Sequence, residues 1–120
     1  MTENIRHASG HQGGVQLHYV LDLAEKDFNN PIISRDFLPY AKVEVWIKGI
    51  GATGFAGNAI IKEGPNKSSA DHATILGNVP VSANTANAGS FLLSSSHISV
   101  ELPALPAVGK VEIFITAKDN

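Results

Sequence analysis

The sequence predicts an all-β domain: an antiparallel β-sandwich or jelly roll, or a Greek-key barrel, of about 7–8 short strands with an extended N-terminal arm. Three observations predict it. Apolar and polar residues alternate with a two-residue period in the longest apolar stretches, turn-forming residues separate those stretches, and no ten-residue run shows helical spacing. The chain has 120 residues, 43% of them hydrophobic and 17% charged, which is enough apolar material for one packed core and too little charge for a disordered polymer.

Residues 1–14 are polar and glycine-rich, with His7, Ser9, Gly10, His11, Gly13 and Gly14, and show neither helical nor strand periodicity. They read as an arm ahead of a single domain over 15–120. The first strand follows at once, where Val15, Leu17, Tyr19, Leu21 and Leu23 alternate with Gln16, His18, Val20 and Asp22. Phe28-Asn29-Asn30-Pro31 is a turn, because Asn tolerates turn geometry and Pro biases its predecessor away from helix.

The clearest strand is 41–48, with Ala41, Val43, Val45 and Ile47 on one face and Lys42, Glu44, Trp46 and Lys48 on the other. Near the end of the chain, Val111, Ile113, Ile115 and Ala117 alternate with Lys110, Glu112, Phe114 and Thr116. Lys42 to Ile47 is thus echoed by Lys110 to Ile115. Two strands meeting the same demand, β-branched residues inside and Lys or Glu outside, account for the echo better than a duplication. Trp46 and Phe114 fall on the polar faces, where a large ring suits a second sheet, a loop cover or a partner.

Weaker strands are expected at 58–62, 72–76, 91–94 and 98–102, and loops at 64–69 and 82–90, the second small, polar and long enough to be mobile or ordered by a partner. Pro103 and Pro106 bracket the crossover into the last strand.

Chemical motifs are few. Gly49-Ile50-Gly51-Ala52-Thr53-Gly54 matches G-x-G-x-x-G, but no helix opens after it and no acid ends a following strand, so it reads as a glycine-rich loop and not a nucleotide site. His7 and His11 have the i, i+4 spacing of a helical metal pair, yet Ser9-Gly10 and Gly13-Gly14 disfavour a helix there. Asp22, Glu25, Asp27 and Asn29 lack the spacing of a calcium loop. The serines at 94–96 adjoin His97 in a strand-like segment, where neighbouring side chains are expected on opposite faces, and there is no G-x-S-x-G elbow. No cysteine is present, which excludes disulfides and thiolate chemistry. Neither catalysis, nor a cofactor, nor a metal is expected.

Net charge is −2 and the basic residues are scattered, so no nucleic-acid footprint is seen. No membrane span or secretory signal is seen either, and synthesis in the cytoplasm is expected.

A polar arm, a β domain of this size, no cysteine, few charges and Ala-, Ser- and Asn-rich loops together resemble small virion proteins of tailed bacteriophages, in particular capsid decoration or cement proteins with a jelly-roll-like fold. The likeness is one of texture over the whole chain and supplies no aligned site residues. It implies an oligomer, made in a bacterial host, that docks on the outside of an assembled shell and staples neighbouring copies of the major capsid protein.

The expected contact residues are Ile5, Arg6, His7 and His11 of the arm, Trp46 and Phe114 on the strands, and Asn84 and Asn87 in the second loop. The alternative is a carbohydrate- or receptor-binding module, fibre- or lectin-like, with Trp46 and Tyr40 stacking on sugar rings. A small enzyme would instead need His and acidic side chains gathered in a cleft.

Overall fold

The computed structural model describes residues 2–8, 14–51 and 54–119. Nine strands occur among them: β1 (Thr2–Ala8), β2 (Gly14–Asp22), β3 (Ile32–Ile33), β4 (Lys42–Ile50), β5 (Asn58–Gly64), β6 (Thr74–Pro80), β7 (Ala86–Leu92), β8 (His97–Glu101) and β9 (Lys110–Lys118). The described helical content is one 3₁₀ turn, Ser69–Asp71.

The strands form a five-stranded sheet, β1-β2-β9-β4-β7, and a four-stranded sheet, β3-β8-β5-β6. Every strand pair is antiparallel. The order 2-9-4-7 against 3-8-5-6 is jelly-roll wiring, and β1 adds a strand outside β2. The expected fold class is therefore the observed one.

Each long strand buries one face. Leu17, Tyr19 and Leu21 of β2, Val43, Val45 and Ile47 of β4, and Val111, Ile113 and Ile115 of β9 are almost completely buried. They meet Ala59, Ile61, Val79, Ile98 and Val100 of the opposite sheet in one core. Burial of each such side chain contributes roughly 1.5–3 kcal/mol, and a one-residue slip would expose the whole set.

The echoed segments are neighbours. In the β4–β9 register Val45 faces Ile115, Trp46 faces Phe114 and Ile47 faces Ile113. β9 occupies the middle of its sheet, paired on both edges by β2 and β4.

Two expectations change. Residues 2–8, read as an arm without strand periodicity, are the edge strand β1, paired with β2 from Thr2 opposite Val20 to Ala8 opposite Gly14. β2's unpaired edge supplies the hydrogen bonds, and an edge strand with little to bury carries no alternation for a sequence reading to detect. The loop expected at 82–90 is shorter: Ala86 to Ser90 belong to β7, paired with β4. Ala-Asn-Ala-Gly-Ser has poor strand propensity, and the ladder offered by β4 overrides it.

The glycine run 49–57 links β4 to β5 with no helix among its described residues, as a loop reading requires. It is fastened by Asn84, whose Nδ2 donates to Gly51 O at 2.7 Å and whose N–H donates to Gly49 O at 2.7 Å.

Candidate functional site

The outer face of the five-stranded sheet carries the most distinctive surface chemistry. Strand alternation places Gln16, His18 and Val20 of β2, Glu112, Phe114 and Thr116 of β9, and Glu44, Trp46 and Lys48 of β4 on that face, all half-buried. Register then aligns them into rows. Asn4, His18, Phe114, Trp46 and Ala88 lie directly opposite one another across five strands.

Within this row the rings touch. His18 and Phe114 stack with centroids 4.1 Å apart and planes at 4°. Phe114 and Trp46 meet edge-on, at 5.1 Å and 75°. Among the described residues Phe114 is the ring that contacts Trp46. The aromatic contacts each contribute about 0.5–1.5 kcal/mol beyond burial. His18 is held in turn by Glu112, with Nε2 to Oε2 at 2.8 Å.

One flank is a second row: Gln16, Thr116, Glu44 and Ser90. Gln16 Nε2 donates to Thr116 Oγ1 at 3.1 Å. Gln16, Glu44, Trp46, Phe114 and Thr116 line a shallow depression of about 220 Å³. Beyond Trp46, β7 sets the small Ala88 directly opposite the indole, with Ala86, Ser90 and the exposed Leu92 elsewhere along the same side.

The other expected contact residues are spread out. Ile5 is exposed on β1. Arg6 and His7 occupy β1 positions opposite Gln16 and Val15; His11 lies outside the described residues. Asn84 is exposed, has φ of 55°, and is engaged by the Gly49–Gly51 backbone. Asn87 is half-buried in β7 and donates from Nδ2 to Ser82 Oγ at 3.2 Å. Tyr40 packs against the core and does not join the aromatic row. The sequence reading missed His18, which alternation had placed on the polar face; the cross-strand neighbour that stacks it is 96 residues away in sequence, and only register reveals it.

The Ser96–His97 pair departs from expectation. Ser96 precedes β8 in a bend, so strand alternation does not separate the two, and Ser96 Oγ lies 2.7 Å from His97 Nδ1. Both residues are buried. Desolvation lowers the His97 pKa, with the Asp36 carboxylate opposing and His72 and Lys67 adding to the fall. Close by, buried Glu63 accepts from the N–H groups of Ser94 and Ser95, each at 2.8 Å through Oε1, so those donors are occupied. Among the described residues no three His, Asp or Glu side chains gather as a metal site.

A larger cleft, about 570 Å³, opens at the β1 side of the sandwich between Glu3 and Tyr19 on one sheet and Ile32, Ile33 and the 67–69 loop on the other.

No family model matches the chain, and no curated protein matches it. Solved structures are similar in fold. The K1 cleaved adhesin domain of Lys-gingipain from Porphyromonas gingivalis W83 matches with a TM-score of 0.56 at 9% identity, covering 98% of this chain and 90% of that one. A structure of Bacillus endospore appendages, disulfide-linked pili, gives 0.45 at 12% identity, with 100% and 93% covered. A carbohydrate-binding module of Cellvibrio mixtus lichenase 5A, in complex with cellotriose, gives 0.36 at 12% identity, with 98% and 86% covered. The adhesin likeness is one of β-sandwich architecture.

Proposed function

We propose that this protein is a non-catalytic structural β module that works by docking the outer face of its five-stranded sheet on another protein. In its finer form the reading is a decoration protein on the exterior of a tailed-phage shell, bound to the major capsid protein. The carrying observation is the His18–Phe114–Trp46 row, a rigid aromatic strip held on the middle strands with polar groups on both sides. Trp and other large rings set among polar rims are what protein-docking patches concentrate. The whole-chain resemblance to decoration proteins supports the finer form.

The test is addition of the purified chain to shells that lack it. Saturable decoration by the unaltered chain, lost in Trp46→Ala and kept in Ile75→Ala, an exposed site on the other sheet, supports the reading. Equal decoration by both variants sinks it.

The depression beside Trp46 favours a second reading, a carbohydrate-binding module. Trp46 and Phe114 line the depression, and Gln16, Glu44 and Thr116 offer hydrogen-bonding groups to hydroxyls. A glycan array probed with the unaltered chain and Trp46→Ala separates the two: a Trp46-dependent glycan signal without shell binding replaces the first reading by the second.

A further inference from the structure

The two sheets end differently on the β1 side. The five-stranded sheet continues to β1, seven residues long, while the four-stranded sheet stops at β3, two residues long. The larger sheet therefore overhangs the smaller, and the 570 Å³ cleft lies beneath the overhang. Register sets Ile5 opposite Leu17 and Glu3 opposite Tyr19, on the inward side of the sheet. Leu17 and Tyr19 are buried, whereas Ile5 is 47% exposed because the shorter sheet does not reach it. Among the described residues β1 is also the sheet's open edge. Its sequence, Thr-Glu-Asn-Ile-Arg-His-Ala, has no Pro to block pairing, and its inward charge, Glu3, calls for a base opposite it in any partner strand.

We propose that β1 pairs antiparallel with β1 of a second copy of this chain, joining two five-stranded sheets into one across a two-fold axis at Ile5. This goes beyond the docking reading and does not depend on it.

The occupant follows from the strand's own symmetry. In an antiparallel pair, residues directly opposite share a face of the sheet. A two-fold pairing that uses all of Thr2–Ala8 sets Thr2 against Ala8 of the second copy, and its centre is then Ile5. Ile5 meets its own copy on the inward side, covering the apolar surface the shorter sheet leaves open. The same register sets Glu3 opposite position 7 and Asn4 opposite position 6, which the sequence fills with His and Arg. At Glu3 an acid thus opposes a base, where a shift by two residues would set Glu3 against Ile5. The overhang supplies the room, since the smaller sheet is set back from the axis. A two-fold of this kind is perpendicular to the sheet, so both His18–Phe114–Trp46 rows emerge on the same side.

The chain contains no cysteine, which makes the test direct. Opposed strand residues have Cα atoms about 4.5–5.5 Å apart, within disulfide reach. Under mild oxidation Ile5→Cys should cross-link to dimers, and Leu92→Cys, 76% exposed in the native residue on the opposite edge strand, should not. In sedimentation the unaltered chain should show twice its 12.7 kDa mass, and Ile5→Lys, with its melting transition retained, should return to the single mass. A monomer at every concentration tested overturns the proposal. So does cross-linking of Leu92→Cys as fast as Ile5→Cys.

Discussion

Phe114 lies flat against His18 at 4.1 Å and presents its other side to Trp46 at 5.1 Å, so one ring on the central strand organises two on its neighbours. Because β9 pairs with both β2 and β4, no other strand could place a side chain between those two.

Truncating the middle ring should therefore affect stability more than truncating the outer one. Phe114→Ala is expected to cost about 1–2 kcal/mol in urea unfolding, since it removes two ring contacts at a half-buried site. Trp46→Ala loses one contact and should stay within about 1 kcal/mol while weakening docking tenfold or more. The reverse order of stabilities would contradict the central role given to Phe114.

Glu63 should matter more than a carboxylate near a surface usually does. Its Oε1 satisfies the N–H groups of Ser94 and Ser95, and the side chain is buried. Glu63→Ala strands both donors and is expected to cost about 2–4 kcal/mol, whereas Glu63→Gln keeps a carbonyl acceptor and should cost about 1. Chemical denaturation of the two variants checks the difference.

Stability should fall as the solution is acidified, and His97 should carry part of that slope. Its pKa is lower in the folded protein than in the unfolded chain, chiefly through desolvation. The unfolded state then binds more protons, so the His97 contribution is complete above the unfolded value and is lost as pH drops through it toward the folded value. Melting temperatures between pH 7.5 and pH 5.5, a window chosen to span the ordinary histidine range of about 6.5, should decline less steeply in His97→Gln than in the unaltered chain.

Gly109 is placed where a side chain does not fit. Its φ is +105°, and a Cβ there would stand 2.7 Å from Ile50 O. Gly109 O also accepts from Leu23 N–H at 3.0 Å. Gly109→Ala is expected to lower stability by about 1–3 kcal/mol, read as a reduced denaturation midpoint with an unchanged m-value.

Much of the sheet was legible from alternation. Val43, Val45 and Ile47, and Val111, Ile113 and Ile115, announce their inward face in sequence, and Trp46 and Phe114 stand out as large rings on the polar side. Where alternation carried no information the reading failed. Of β1 the described side chains, Glu3, Asn4 and Ile5, are all exposed and give no period, and the Ala-Asn-Ala-Gly-Ser stretch of β7 lacks the branched residues that mark a strand. A bend just before β8 suspends the strand rule that would put Ser96 and His97 on opposite faces.

The all-β class, the inward faces of the main strands, the absence of cysteine chemistry, and the lack of a helix directly after the glycine run at 49–57 are readable in the residues alone. These follow from local periodicity and composition, which act over a few residues. Register and packing were needed to show that Trp46, Phe114 and His18 form one row, that β1 is an open edge among the described residues, and that the smaller sheet stops short beneath Ile5. Those outcomes depend on register between strands far apart in the chain, set by burying both sheets' apolar faces at once.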